Sequence, residues 1–157
     1  MQRSRTQAPE VVDAVLRASR VLVSVAVRSL AGVEDDVTLA QHRALVVLAA
    51  RGPQRPTALA EALGVHPSTV TRLCDRLVAK RLVRRGESPT NRREVNIELT
   101  PKGRRLVDSV TRTRRAEISR IVARIPAGER STLVHALSAL GEAAEEPADS
   151  DWFLGEA

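Results

Sequence analysis

The sequence predicts an α+β fold that is mainly helical, with one small pair of strands near its centre. Three observations lead to this prediction. Apolar residues recur at helical spacing in most long segments, strict alternation of apolar and polar residues is confined to one short stretch, and proline or glycine marks most segment ends. A length of 157 residues is enough for one compact body or two small ones, with a sizeable hydrophobic core.

The first long segment, residues 10–30, carries patterns of both a strand and a helix. A β-branched residue stands at every second position of residues 21–27, which locally favours a strand. Over the whole segment, however, the polar side chains fall on one narrow stripe of an α-helix: Asp13, Arg17, Arg20, Ser24 and Arg28. We therefore predict a helix. The rest of its surface is apolar, so it needs cover on more than one side, which one small domain rarely provides.

Three more helices are predicted on either side of the central segment. Thr38 is placed to cap a helix over residues 39–51, which a glycine-proline pair ends. Thr100-Pro101 fits a cap and a first helical position, and predicts a helix over about 102–124 that a proline closes. A last helix over about 127–145 has apolar residues at helical spacing, namely Leu133, Val134, Leu137 and Leu140.

The central segment, residues 55–83, is typical of two helices joined by a tight turn. We expect Thr57 to cap a short helix, Gly64 to end it in the left-handed conformation, and Pro67 to begin the second helix. This is the helix-turn-helix signature. In the second helix the apolar residues form one buried stripe: Val70, Leu73, Cys74, Leu77 and Val78. The outward face holds Ser68, Thr69, Arg72, Asp75, Arg76 and Ala79, with Thr71 at its border.

The outward face of the second helix has the chemistry that the major groove of DNA requires. Hydroxyls at Ser68, Thr69 and Thr71 can reach phosphates or bases from the first turns. Arg72 can bind guanine O6 and N7 together, and Arg76 follows one turn later. A purely structural helical hairpin would have the same periodicity, so the helix alone leaves both interpretations open.

Two short runs separated by a turn-rich stretch follow the second helix. Residues 82–85 precede the turn, and residues 92–99 follow it with apolar and polar residues in alternation, which predicts a half-buried strand. The apolar positions are Val95, Ile97 and Leu99. Together the runs predict a β-hairpin, or wing, whose basic tip suits the narrow minor groove. Arg92 and Arg93 are the candidates for contact with the minor groove or the backbone.

Positive charge is concentrated in this same part of the chain. The net charge of +6 divides into +1 for residues 1–50, +8 for residues 51–105 and −3 for residues 106–157. Of the 25 basic residues, 23 are arginines, whose planar guanidinium suits phosphates and base edges. A solvated basic surface could have this distribution, but a localised patch is typical of a nucleic-acid-binding module. With Trp152 and Phe153 as the only aromatic residues, binding of single strands by base stacking is disfavoured.

Several other classes are excluded by cysteine, histidine and leader patterns. Cys74 alone cannot form an intrachain disulfide or a thiolate zinc site, so we expect a cytoplasmic protein in which Cys74 is an inert core residue. His42, His66 and His135 lack metal-ligand spacing, so no metal is expected. No catalytic set stands out, so we expect neither an enzyme nor a cofactor. We identify no signal peptide or membrane span.

These segments together resemble the MarR family of dimeric winged helix-turn-helix transcriptional regulators. The resemblance covers about residues 10–147 and is most specific at residues 57–71, at Arg92-Arg93 and at Leu99-Thr-Pro-Lys-Gly103. It implies that the N- and C-terminal helices interlock with those of a second copy, and that two recognition helices enter successive major grooves about 10 bp apart on a pseudo-palindrome. It also implies that a small lipophilic or phenolic molecule often relieves DNA binding from a crevice between the dimerisation and DNA-binding parts.

Three positions depart from the family pattern. Asn91 replaces the aspartate of the usual Asp-x-Arg of the wing, which removes an ion pair expected to hold the wing on the body. Arg81 stands where a glycine commonly ends the recognition helix, and a left-handed arginine there costs roughly 1 kcal/mol. His42 stands where members often have an aromatic ring near the ligand crevice, and is either a ligand contact or a plain core or interface histidine. The redox-sensing branch of the family uses a cysteine in the first helix, where this chain has none.

The sequence thus predicts four parts. Residues 1–37 form an N-terminal dimerisation helix and loop, 38–100 a winged helix-turn-helix, 101–147 the C-terminal dimerisation helices, and 148–157 an acidic tail. The tail's Trp152-Phe153 belongs either to a disordered end or to a segment that folds back on the crevice.

The predicted function is that of a homodimeric, ligand-responsive repressor that binds double-stranded DNA. The residues expected to contact DNA are Ser68, Thr69, Thr71, Arg72, Arg76, Arg92 and Arg93. The alternative is a protein-interaction module that has kept the winged fold without DNA binding. The arginines on the outward faces of helix and wing favour DNA.

Overall fold

A computed structural model describes residues 7–33, 36–87 and 94–146 of the chain. Within these residues it contains six helices and one antiparallel pair of strands, so the mainly helical α+β prediction is confirmed. The elements are α1 (Gln7–Leu30), α2 (Leu39–Arg51), α3 (Pro56–Leu63), α4 (Pro67–Ala79), β1 (Val83–Glu87), β2 (Val95–Leu99), α5 (Pro101–Val122) and α6 (Ala127–Ala143). The candidate residues Arg92 and Arg93, Asn91 and the Trp152-Phe153 tail lie outside the described residues.

The start of α2 follows from its local sequence. The Thr38 hydroxyl oxygen accepts a hydrogen bond from the Gln41 backbone N–H at 3.2 Å. The Gln41 side-chain oxygen accepts one in return from the Thr38 backbone N–H at 3.1 Å. This reciprocal capping box satisfies two backbone donors at the helix start, which confirms Thr38 as the cap.

The bounds of α3 partly correct the sequence prediction. Gly64 ends the helix with φ 63°, a left-handed conformation that a residue without a Cβ adopts without strain. Thr57 is not the N-cap, so that expectation was wrong. The helix already begins at Pro56, and Arg55 occupies the cap position without a side-chain hydrogen bond. Because proline has no backbone N–H and its φ is preset for a helix, it can begin α3 without a capping side chain.

One aliphatic core lies between α2, α3, α4, the sheet and the first half of α5. Its large fully buried side chains include Leu45, Leu48, Leu59, Val70, Leu77, Leu82, Ile97, Val107 and Val110. Each such side chain contributes about 1.5–3 kcal/mol through burial. This core fixes α4 with one face inward and the other exposed.

The two strands form a hairpin that is joined to the body through Gln54. β1 and β2 pair antiparallel, with Arg85 opposite Ile97. The Gln54 N–H donates to the Ile97 carbonyl at 3.0 Å, and the Ile97 N–H donates to the Gln54 carbonyl at 2.8 Å. Both backbone groups of Ile97 are therefore hydrogen-bonded to Gln54, and the residue is fully buried.

The burial pattern of β2 differs from the predicted alternation. Ile97 is buried and Leu99 half-buried as expected, but Val95 is exposed and Asn96 is buried. Val95 pairs with Glu87 in the last pair of the ladder, beyond the cover of the helices. The prediction of a half-buried strand was therefore right for the inner end of β2 and wrong for its outer end.

The first and last helices leave most of their apolar surface exposed. The exposed large side chains of α1 are Val11, Val12, Val15, Leu16, Val21, Leu22, Val23 and Val27, and those of α6 are Val134, Leu137 and Leu140. No residue of α6 is buried. α1 packs on α5 through its C-terminal part, where Val25 is buried and Arg28 Nε donates to Glu117 Oε1 at 2.7 Å. In the part of the chain that the structure describes, no helix combines the length and hydrophobicity needed to span a bilayer.

Candidate nucleic-acid interface

The start of α4 is organised by a histidine and a proline. Pro67 occupies the first helical position, as predicted. The His66 ring Nδ1 accepts a hydrogen bond from the Ser68 backbone N–H at 3.3 Å and lies 2.9 Å from the Ser68 hydroxyl. Sequence reasoning did not foresee this cap, because a histidine before proline is a rare cap residue. The Thr71 hydroxyl donates to the Pro67 carbonyl at 3.2 Å, which holds the first turns of the helix.

Five predicted DNA contacts lie together on the exposed face of α4. They are Ser68, Thr69, Thr71, Arg72 and Arg76, and all of them are exposed. On the opposite face Val70, Cys74 and Leu77 are buried. The helix therefore has a fixed orientation, with its hydroxyls and guanidinium groups directed away from the core.

Cys74 is part of the buried face of α4. Burial raises the pKa of its thiol, which keeps the sulfur protonated and poorly nucleophilic at neutral pH. This agrees with the expectation that Cys74 is an inert core residue. Among the described residues no group of three or more histidine, cysteine or acidic side chains could hold a metal ion.

A cleft of about 220 Å³ separates α4 from the start of α2. It is lined by Thr38, Gln41, Thr69, Arg72 and Arg76, together with Ala40 and Leu73. Two guanidinium groups, hydroxyls and a helix N-terminus are donors that suit a phosphate group. The cleft thus extends the cationic surface of α4 towards α2.

Ion pairs hold the described part of the wing. Arg84 Nε donates to Glu98 Oε2 at 2.8 Å across the two strands. Arg55, at the start of α3, pairs with Glu94 just before β2. Arg85 pairs with Asp75 of α4. The sequence drew attention to the missing aspartate at position 91, but not to these pairs, because their partners are distant in sequence.

The end of α4 and the start of α5 are joined at a tight junction. Arg81 has φ 59°, the left-handed conformation expected for it. The Thr100 hydroxyl accepts from the Gly103 N–H at 3.0 Å and donates towards the carbonyls of Arg81 (2.7 Å) and Leu82 (3.0 Å). A Cβ at Gly103 would stand 2.1 Å from the Leu82 carbonyl oxygen, so only glycine permits this approach. The Thr-Pro-Lys-Gly motif therefore fixes the wing and α4 on α5.

His42 lies beside a cavity between α2 and the terminal helices. The cavity, of about 350 Å³, is lined by Ala26, Leu39, His42, Arg43, Val46, Thr111, Arg114 and Glu146. Only 4% of His42 is exposed, and its Nε2 has no hydrogen-bond partner among the residues that the structure describes. Burial and the charges of Arg114 and Arg43 lower its pKa to about 4, so the ring is neutral at physiological pH. Arg43 forms a bidentate hydrogen bond with Glu146 at the cavity wall (2.6 and 2.5 Å).

Comparison with known proteins supports the resemblance seen in the sequence. Residues 35–94 match the sequence model of the MarR family. The HTH-type transcriptional repressor MdtR of Bacillus subtilis is 32% identical over 112 residues, which is 71% of this chain and 72% of that protein. The matched family and MdtR are transcriptional regulators rather than enzymes. The matches therefore favour the interpretation as a DNA-binding regulator over that as a protein-interaction module.

Solved structures share the fold over nearly the whole chain. The crystal structure of RV1404 from Mycobacterium tuberculosis is 45% identical in sequence, covers 90% of this chain and 96% of its own, and superposes with a TM-score of 0.84. Streptococcus pneumoniae FabT, solved in complex with DNA, is 24% identical, covers 90% and 97%, and has a TM-score of 0.69. With its winged helix-turn-helix, exposed terminal helices and these matches, the chain belongs to the MarR family of transcriptional regulators.

Proposed function

We propose that the chain is a cytoplasmic, homodimeric repressor that binds double-stranded DNA, with α4 in the major groove and the wing on the minor groove or backbone. The observation that supports this most directly is the single exposed face of α4, which holds Ser68, Thr69, Thr71, Arg72 and Arg76 opposite a buried face. FabT, which shares the fold, has been solved with DNA, and MdtR is named a repressor. Arg92 and Arg93 are proposed as the wing contacts from the sequence alone.

The proposed roles of the segments follow the four parts predicted from the sequence. Residues 38–100 bind DNA, residues 1–37 and 101–147 provide the dimer contacts, and residues 148–157 are an acidic tail. The exposed apolar side chains of α1 and α6 support the dimer, because large apolar side chains left exposed along two helices are typical of a protein interface. A two-fold dimer places the half-sites of the operator about 10 bp apart, centre to centre.

Titration of a fluorescent duplex tests the DNA-binding function. The duplex is taken from the region upstream of the chain's own gene, and anisotropy is measured over a salt series. We expect binding that weakens steeply with salt, because phosphate contacts release counterions. Absence of binding at low salt would overturn the proposal.

Two variants separate base reading from backbone contact. Arg72→Ala is expected to cost about 1–3 kcal/mol and to relax the preference at one base pair. Arg93→Ala is expected to weaken binding to all sequences and to make the salt slope shallower by about 0.9. Arg20→Ala, on the polar stripe of α1, is the charge-matched control and should bind like the wild type. Equal behaviour of the Arg72 and Arg93 variants would contradict their roles.

The dimer is tested by a charge placed on α6. Leu137 is exposed in the protomer, so Leu137→Asp should preserve the helical circular-dichroism spectrum while converting dimer to monomer in sedimentation. Thr132→Asp, on the other side of the same helix at 100° per residue, is the control that adds the same charge and should leave the dimer intact. If Leu137→Asp leaves the dimer intact, α6 is not part of the dimer interface.

The His42 cavity supports a ligand-responsive repressor. A neutral, buried imidazole with an unpartnered Nε2 faces a cavity of ligand size, and a hydroxyl or carboxyl group would provide the missing hydrogen bond. The test compares phenol, benzoate and toluene as probes in thermal shift and in the DNA titration. We expect phenol or benzoate to stabilise the protein and weaken DNA binding more than toluene does, and His42→Leu to remove the difference. No effect of any probe would exclude this small lipophilic or phenolic class.

A further inference from the structure

A carboxylate lies in the middle of the face of α4 that is proposed to meet DNA. At 100° per residue, Asp75 points between Thr71 and Ser68, next to Arg72. Its side chain is 56% exposed. A carboxylate directed at DNA is repelled by the phosphates unless it accepts a hydrogen bond from cytosine N4 or is neutralised by a cation.

In this chain Asp75 is neutralised from the wing. Arg85 Nη2 donates a hydrogen bond to Asp75 Oδ1. Arg85 lies in β1 opposite the buried Ile97, so its backbone is fixed by the sheet. Asp75 follows Cys74 on a helix that the core also fixes. The ion pair therefore connects two rigid elements, the recognition helix and the first strand of the wing.

The ion pair also neutralises Arg85, whose positive charge would otherwise be available to bind DNA. Arg85 is about half exposed and lies on the strand that leads to the wing tip. With Asp75 as its partner, its charge is cancelled locally and its guanidinium is directed along the protein surface. Without Asp75 the same guanidinium would be a mobile cation next to the DNA-binding face.

We propose that Asp75 and Arg85 are a positioning pair: Asp75 reads no base, but holds the Arg85 guanidinium against the recognition helix and adds a direct link between that helix and the wing. This inference rests on the proposed DNA-binding function. The consequence of the pair is weaker binding to DNA in general and a stronger preference for the operator. The pair withholds one positive charge from phosphates of any sequence and fixes the geometry in which operator contacts are made.

The two single variants are expected to act in opposite directions. Asp75→Asn releases Arg85, so binding to a scrambled duplex should strengthen, with a salt slope steeper by about 0.9 for one added phosphate contact. The preference for operator over scrambled DNA should fall. Arg85→Gln leaves Asp75 unneutralised, so binding to both duplexes should weaken.

The double variant provides the decisive measurement. Asp75→Asn with Arg85→Gln removes both charges, so affinity for scrambled DNA should return to the wild-type value while operator preference stays low, since the direct link between the recognition helix and the wing is lost. Glu61→Gln, an exposed acidic residue of α3, gives the same charge change as Asp75→Asn without releasing Arg85, and should strengthen binding less. Thermal denaturation of each variant verifies that it is folded.

The experiment is anisotropy titration of wild type and variants on operator and scrambled duplexes of equal composition over a salt series. Single variants of opposite sign that cancel in the double variant on scrambled DNA support the proposal. If Asp75→Asn loses affinity only for duplexes with cytosine at one position, Asp75 reads that base and the proposal is overturned. Single variants that change the affinity for scrambled DNA in the same direction, or that change nothing, also overturn it. Failure of the wild type to bind either duplex instead overturns the proposed function, and this inference with it.

Discussion

The winged helix-turn-helix and the terminal helices differ in where their apolar surface goes. The described residues between 38 and 110 bury most of their large apolar side chains within the chain, with Leu45, Leu77 and Ile97 almost fully enclosed. α6 buries none of its residues, and α1 buries apolar side chains only near its C-terminal end. The first region completes its fold alone, whereas the second is complete only against another surface. Substitutions in the two regions should therefore have different consequences.

The largest contrast is expected between two glycines. Gly103→Ala should lower the free energy of unfolding by more than about 2 kcal/mol, because the new Cβ would clash with the Leu82 carbonyl. Gly128→Ala on α6 has open space around it, and should be neutral or stabilising by up to about 1 kcal/mol. Urea unfolding at fixed protein concentration measures both. Similar changes in the free energy of unfolding for the two variants would contradict the expected difference between the junction and α6.

The second contrast concerns the boundary between the regions, where His42 is buried. Its pKa is lowered from 6.5 to about 4, so between these pH values the unfolded chain binds a proton that the folded chain does not. Stability should therefore fall as the pH is lowered from about 6.5 to about 4, by about 3 kcal/mol in total. Urea unfolding from pH 7 to pH 5 should show this slope for the wild type and for His135→Gln, an exposed control on α6. His42→Leu should be flatter, and an unchanged slope would mean that His42 is not the group responsible.

The smallest effect is expected at the end of α4. Arg81 adopts φ 59°, which is unfavourable for a residue with a Cβ, so Arg81→Gly should raise the free energy of unfolding by up to about 1 kcal/mol. Ala79→Gly is the matched control, because Ala79 is an exposed helical residue whose side chain is a single methyl, and it should destabilise by a similar amount. Opposite signs at positions 79 and 81 would identify backbone conformation as the cause. Equal signs would contradict it.

Local signals explain what the sequence could predict. Thr38, Gly64, Pro67 and Thr100-Pro101 act on their own neighbours in the chain, so the element bounds they mark agree with the structure to within a few residues. The exposed face of α4 followed from helical periodicity alone. The apolar surface of the first helix already indicated a partner, and the family resemblance added the form of the dimer and the effector crevice, which no local pattern indicates.

Contacts between distant residues explain what the sequence could not predict. The Asp75 and Arg85 pair, the bridge from Gln54 to Ile97 and the role of Gly103 all depend on how elements pack. The assignment of Thr57 as a cap was wrong, because the preceding proline could begin the helix by itself. The outer end of β2 was misassigned because alternation predicts which side a residue faces, but not how far the covering helices extend.

The junction at Gly103 makes α5 a lever. The helix spans 22 residues, or about 33 Å, and its first turn is joined through Thr100 to the carbonyls of Arg81 and Leu82. If its far end is held at the dimer interface, a tilt of about 5° moves the junction by about 3 Å, roughly half the rise of one helical turn. α4 must move with it, because Arg81 and Leu82 at its end contact Thr100 and Gly103 directly. In a dimer the spacing of the two recognition helices is then set by the angle of α5. Small repacking near His42 that tilts α5 would therefore change the distance between the two helices that contact DNA.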